Sequence, residues 1–167
     1  MTSHRRGPAI IELPNDLEIV IRRELAAPLP LVFDVLTKQE HLIKTIAPFR
    51  ERVKVCSVDL RVGGKYHFVF VTEDGIECSF RGTYLEVEPP TRTVQTWRFD
   101  GWPDDAEAVE TQELREADGV TTLTWKLAFR HQAGRARMTK FDGPEANLDK
   151  VEDLLLSLLD PKGMASG

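Results

Sequence analysis

Along most of this chain apolar residues recur every second position, and in one stretch near its end they recur every third and fourth. The first pattern predicts strands with one buried face and the second an amphipathic helix. The helical stretch is Gly143 to Asp160, where Leu148, Val151, Leu154, Leu155, Leu158 and Leu159 fall on one side. Pro144 suits its first turn, Asp149 and Glu152 favour its N-terminal half, and Pro161 with Gly163 marks the stop. The alternating pattern begins at Leu17, Ile19 and Ile21 and ends at Leu25. Two short helices follow, Pro30 to Thr37 and Gln39 to Ile46, closed by Pro48. Then come Arg52–Leu60, Lys65–Thr72, Ile76–Glu88, Thr93–Phe99, Glu107–Arg115 and Val120–Arg130, all strand-like. Turn signals separate them, notably Glu73-Asp74-Gly75 and Ala117-Asp118-Gly119.

Seven strands joined mostly by short turns, with helices grouped before and after them, predict an α+β fold built on an antiparallel sheet. The helices would cover one face and leave the other to solvent. Residues 1–16 carry Gly7, Pro8 and Pro14 without a period and read as an N-terminal extension, although Ala9, Ile10, Ile11 and Leu13 offer apolar surface. The domain is expected over 17–160, with 161–167 as a tail. The stretch from His131 to Asp142 reads as a loop; its part from Gly134, holding Met138 and Phe141, is a candidate lid.

Composition narrows the function classes. At 167 residues with 41% hydrophobic content, the chain has enough apolar material for one real core. Its net charge of −5 argues against nucleic acid, and the basic group Arg130, His131, Arg135, Arg137 and Lys140 reads as a solvated loop. Cys56 and Cys78 sit alone inside strand-like runs, the usage of a reducing compartment, and read as small buried hydrophobes. No apolar run reaches the length that spans a bilayer, and the N-terminus lacks a signal-peptide core, so a cytoplasmic protein without membrane insertion is expected. His4, His41, His67 and His131 are scattered, and neither a phosphate-loop nor a nucleophile-elbow motif occurs. No metal or cofactor is expected. Gly63-Gly64-Lys65 is read as a turn.

Several short motifs in register carry a resemblance. Arg23 to Pro28 followed by Val32, Phe33 and Leu36-Thr37, then Asp59 to Tyr66, Asp74-Gly75, Gly82 to Val87 with Pro89-Pro90, and Thr96 to Phe99 resemble the SRPBCC superfamily. The likeness is to its bacterial branch named after the activator of the heat-shock chaperone ATPase, and it covers about residues 17–160. It implies a helix-grip fold, in which a bent seven-stranded sheet wraps a long C-terminal helix and leaves an apolar cavity between them. It also implies binding of a small hydrophobic or amphipathic molecule: a lipid, an aromatic or a polyketide-like compound. Where the family carries Trp-Phe near the end of the second helix this chain has Thr45-Ile46, and where it carries Gly-Trp early in the last helix this chain has Ala146-Asn147-Leu148. The ligand of a relative is therefore not carried over.

The candidate site follows from strand phase. Gln95 shares a face with Trp97 and Phe99, while Glu110 and Gln112 share one with Ala108 and Leu114. The resemblance implies that this face, if the register holds, looks into a pocket walled by Phe68, Trp97, Trp125 and Phe129, with Leu148, Val151 and Leu155 of the last helix opposite; a one-residue slip, a bulge or an edge position would instead leave Glu110 in solvent. Glu110 and Gln112 would orient the ligand, the arrangement usual for small-molecule sites. The preferred reading is a non-catalytic binding module. One alternative is a cyclase- or hydrolase-type enzyme using Glu110 as acid or base, for which His67 is the available partner in sequence but points away. The other is a chaperone-linked interaction module. A monomer or a homodimer is expected, with Ile10 and Ile11 as a contact in the second case.

Overall fold

A computed structural model describes residues 9–47, 52–100, 107–139 and 143–160. Among the described residues eight strands form one antiparallel sheet: β1 (Ile10–Glu12), β2 (Glu18–Leu25), β3 (Arg52–Val58), β4 (Lys65–Val71), β5 (Glu77–Glu88), β6 (Arg92–Phe99), β7 (Ala108–Ala117) and β8 (Val120–Phe129). They run across the sheet in the order β1-β2-β8-β7-β6-β5-β4-β3. The helices are α1 (Leu29–Thr37), α2 (Gln39–Thr45), α3 (Gln132–Met138) and α4 (Gly143–Leu159). The α+β class and the helix-grip arrangement are as expected, with α4 packed beside α1 and α2.

The strand count is eight rather than seven. The additional strand comes from the stretch read as an extension. Pairing with β8 leaves the other edge of β2 open, and Ile10 and Ile11 are β-branched residues suited to it. The side chain of Asn15 accepts from the amides of Leu17 and Glu18 at 2.8 and 2.9 Å, an Asx turn that reverses the chain between the two strands. An ion pair between Arg22 and Glu12 links them further.

Local chemistry explains the bends and turns. One residue of β5, Leu85, has no partner on β6 because the register shifts between Tyr84 and Glu86; such a bulge bends the sheet and increases its twist. A second shift falls on β3 between Val53 and Val55. Between β7 and β8 the residues Asp118 and Gly119 both take positive φ, 53° and 80°, the backbone of a tight hairpin whose twist matches its strands. At the start of α1 the Leu29 amide donates to Glu116 Oε1 at 3.0 Å, and the Thr121 hydroxyl donates to the Ala27 carbonyl at 2.7 Å. The first turn of α1 is thereby fixed to the β7–β8 hairpin.

The core divides into two apolar clusters. The larger joins Ile19, Ile21 and Leu25 of β2, Val32, Phe33 and Val35 of α1, Leu123, Leu127 and Phe129 of β8, Trp97, and Leu148, Val151 and Leu155 of α4. The smaller joins Leu42 and Ile46 with Tyr66, Phe68 and Tyr84. Leu60 and Phe80 pack against both.

Four expectations are corrected. The stretch 132–138 is helical rather than a loop, since Gln132, Ala133, Arg135, Ala136 and Met138 are helix formers and a single Gly134 does not override them. Met138 packs on the large cluster, while Phe141 of the candidate lid lies outside the described residues. Of the basic group, Arg130 and His131 are exposed, but Arg135 is half-buried and donates to the Asn15 carbonyl at 2.7 Å. The cysteines are half-buried rather than buried. Leu158 and Leu159, which continue the apolar stripe in sequence, are exposed, so the buried part of α4 lies nearer its middle.

The anchor of α4 is ionic as well as apolar. Arg23 sits in phase with Ile19, Ile21 and Leu25 on the buried face of β2, and its guanidinium meets Glu152 and Asp149 of α4, each at 2.8 Å. Glu152 is fully buried, one turn after Leu148 on the same stripe. The two carboxylates raise the Arg23 pKa against the opposing effect of burial, which is the larger single influence. The side chains of Asn147 and Lys150 donate to the carbonyls of Thr45 and Ala47, tying α4 to the end of α2.

Candidate functional site

Register determines what the concave face of the sheet presents. Tyr84 pairs with Gln95, Gln95 with Glu110, and Glu110 with Leu127, so one row crosses four strands. In the next row Thr93 pairs with Gln112 and Gln112 with Trp125. Side chains on opposed positions lie on the same face, so Gln95 and Glu110 meet directly and Trp125 reaches Glu110 diagonally.

Glu110 is buried, at 8% exposure, and accepts two hydrogen bonds. Gln95 Nε2 donates to its Oε1 at 2.8 Å, and Trp125 Nε1 donates to its Oε2 at 2.6 Å. Burial pushes the carboxyl above the usual range, and the two donors pull it back only in part. Gln95, at 6% exposure, keeps its Oε1 buried with no hydrogen-bond partner. A buried acceptor left unpaired costs about 1–3 kcal/mol. The node therefore carries a desolvated carboxylate and an unused carbonyl side by side.

Two tyrosines face it from the other cluster. Burial raises both phenols, Tyr66 strongly, and the charge of Glu110 adds to the rise at each. Tyr66 lies across Gly82 to donate to the Thr96 carbonyl at 2.6 Å. A methyl group at Gly82 would stand 1.8 Å from that carbonyl oxygen and 2.6 Å from the Tyr66 ring, so glycine is required for the ring to lie there.

An aromatic wall continues from the node. Phe68 meets Phe80 edge-on at 6.0 Å, Phe80 lies 6.2 Å from Trp97, and Trp97 meets Phe129 edge-on at 6.3 Å. The chain of rings links the two clusters and needs no interruption, because offset and edge contacts are the favoured ring geometries.

Of the residues singled out from the sequence, Gln95, Glu110 and Trp125 form one hydrogen-bonded group, and Gln112 stands half-buried beside it, with the Thr93 hydroxyl 3.5 Å from its Oε1. Trp97 and Phe129 are in contact, Phe68 belongs to the smaller cluster, and Leu148, Val151 and Leu155 are fully buried in the larger. Tyr84 and Phe80 were not among them; their signal is phase, since Phe80, Gly82 and Tyr84 alternate on one face of β5. His67 lies on the opposite face. Its Nε2 is 2.9 Å from Ser79 Oγ, which donates to Asp100, and Asp100 is held below the usual carboxylate range chiefly by Arg81. No group of three or more metal-ligating side chains, and no helix long and apolar enough to cross a membrane, occurs among the described residues.

Residues 26–155 match the family model described as activator of Hsp90 ATPase homolog 1-like protein. The chain belongs to that family. Among solved structures, a Rhodobacter sphaeroides protein superposes with a TM-score of 0.83 at 18% identity, over 90% of this chain and 99% of its own. A Nitrosomonas europaea protein gives 0.76 at 26% identity, over 87% and 97%. An Hsp90 activator from Plasmodium falciparum gives 0.53 at 25% identity, over 67% and 72%. No curated protein matches the chain. Family membership agrees with the helix-grip architecture described above, including the bent sheet and the terminal helix of α4.

Proposed function

We propose that this protein binds a small hydrophobic or amphipathic molecule, without catalysis, between the concave face of the sheet and α4. The observation that supports this reading is the Gln95–Glu110–Trp125 group. It places a buried carboxylate and an unpaired carbonyl at the junction of two apolar clusters, among Phe68, Phe80, Trp97 and Phe129. Such a group costs a packed core stability, whereas a ligand site needs a few fixed polar atoms inside an apolar wall. Gln112, half-buried beside Trp125, would add a further polar contact. His67, the partner in sequence for catalysis by Glu110, faces away and is engaged with Ser79.

Titration of tryptophan fluorescence with fatty acids, aromatic compounds and polyketide-like compounds tests the reading, because Trp125 and Trp97 line the proposed site. Saturable quenching by at least one class is expected. A flat response across the whole panel would sink it.

A second reading has one observation in its favour: the Plasmodium falciparum neighbour is an Hsp90 activator. A chaperone-linked role for this chain predicts co-elution with Hsp90 and stimulation of its ATPase. Absence of both removes that role.

A further inference from the structure

We propose that the ligand's polar end is a hydrogen-bond donor, a protonated amine, held between the Glu110 carboxylate and Gln95 Oε1. This rests on the binding reading above and specifies its chemistry.

The one buried polar atom of the node without a partner is an acceptor, and the carboxylate has lone pairs to spare. A carboxylate offers about four lone-pair sites, and Glu110 uses two of them, for Gln95 Nε2 and Trp125 Nε1. Gln95 Oε1 accepts nothing. The amide cannot relieve this by turning over while Glu110 is ionised, since its oxygen would then face a carboxylate oxygen. Nor do the ion pairs among the described residues reach it: those of the described arginines and lysines go to other carboxylates. A buried carboxylate without a cation is stabilised most by a partner that brings both charge and donors. An ammonium does so, with three donors for two waiting acceptors. An alcohol supplies one donor and no charge. A carboxylate ligand would set acceptor against acceptor and bury two like charges, so fatty acids are excluded as the preferred class. The rings of Phe80, Trp97 and Phe129 would receive the apolar body.

The test uses three compounds with one apolar body and different polar ends: phenylbutylamine, phenylbutanol and phenylbutyrate, with butylbenzene as the purely apolar control. They are titrated calorimetrically into the wild type and Glu110→Gln, with circular dichroism to verify that the variant is folded. Phenylbutylamine is expected to bind about tenfold or more tighter than the alcohol, and phenylbutyrate weakest. In Glu110→Gln the amine's advantage over the alcohol is expected to disappear. As a second readout, the indole N–H resonance of Trp125, assigned with Trp125→Phe, should shift on adding the amine to the wild type. Saturable binding in which the acid equals or exceeds the amine overturns the proposal while sparing the binding reading. So does an amine preference that survives in Glu110→Gln. Saturation by none of the four compounds overturns both.

Discussion

Replacing Glu110 with glutamine should make this protein more stable. Most substitutions of a buried, hydrogen-bonded residue destabilise, so the prediction runs against the usual expectation. Gln is nearly isosteric with Glu, and its amide can reproduce both contacts. Its oxygen accepts from Trp125 Nε1 as Glu110 Oε2 does now at 2.6 Å. Its NH2 replaces Oε1 and faces Gln95, whose amide then turns over and accepts through the Oε1 that at present has no partner. The change removes a desolvated charge, while the unpaired position of the Gln95 amide passes from its oxygen to its nitrogen, so the gain comes from the charge.

Relieving the desolvation of a buried polar group is worth about 1–3 kcal/mol. In a chain of this length each kcal/mol moves the melting temperature by roughly 2–4 °C, so a rise of about 2–12 °C at neutral pH is expected. The pH dependence gives the sharper test. Burial raises the folded-state pKa of Glu110 above its unfolded value, so the native state binds the extra proton between the two. Its contribution to stability is full below the usual carboxylate range and is lost as pH rises through the raised value. The stability difference between variant and wild type should therefore be small in acid, grow through that window and level off above it. Urea denaturation of both proteins across the range measures this, and other carboxylates cancel in the difference. A variant no more stable at neutral pH, or a difference that does not change with pH, would refute the reasoning.

Three further outcomes follow from the packing. Gly82→Ala drives a methyl group into the Thr96 carbonyl and the Tyr66 ring, and should cost upwards of about 3 kcal/mol or prevent folding, read by far-ultraviolet circular dichroism and urea midpoint. Arg23→Met removes the guanidinium that holds buried Glu152; a loss of about 3–5 kcal/mol is expected, while the pair Arg23→Met with Glu152→Leu should recover much of it. Thr121→Val deletes the donor to the Ala27 carbonyl at the entrance to α1, with an expected loss of about 1–3 kcal/mol and faster amide exchange in the first turn of α1.

The strands and α4 were legible because their periods are long and uninterrupted: Leu123, Trp125, Leu127 and Phe129 alternate on β8 as predicted, and α4 begins and ends beside its proline signals. The phase of Gln95 and Glu110 was left open, because a slip of one residue or a bulge would have turned Glu110 to solvent; the pairing of β6 with β7 turns both inward. Partners were harder to see. The contact between Arg23 and Glu152 spans 129 positions, and its trace in sequence is a charge sitting in each of two apolar faces, Arg23 beside Ile21 and Leu25, Glu152 beside Leu148 and Leu155. The strand β1 was hidden because three residues are too few to show a period, and α3 because Gly134 interrupts an otherwise helical composition. That Gln95 keeps an unpaired oxygen is a matter of tenths of an ångström and of which amide atom faces Glu110, which no pattern along a chain encodes.

The division of the core into two clusters gives the polar node its physical meaning. Leucine at positions 95 and 110 would join the clusters into one, since Tyr84, Gln95, Glu110 and Leu127 already lie in a continuous row across the sheet. The chain instead puts its desolvated carboxylate and its orphaned carbonyl at that junction, bridged on the apolar side by Phe80 and Leu60. The two clusters are held by different elements, the larger mainly by β2, β8, α1 and α4 and the smaller mainly by α2, β4 and β5. Separation along the seam would then break contacts between clusters while leaving the contacts inside each intact, and elements that open at low cost are those used for binding. A molecule with an apolar body and a donor at one end would restore both kinds of contact at once. On this argument the stability gained by Glu110→Gln and the affinity lost by it have one cause, and the two should be found together in the same variant.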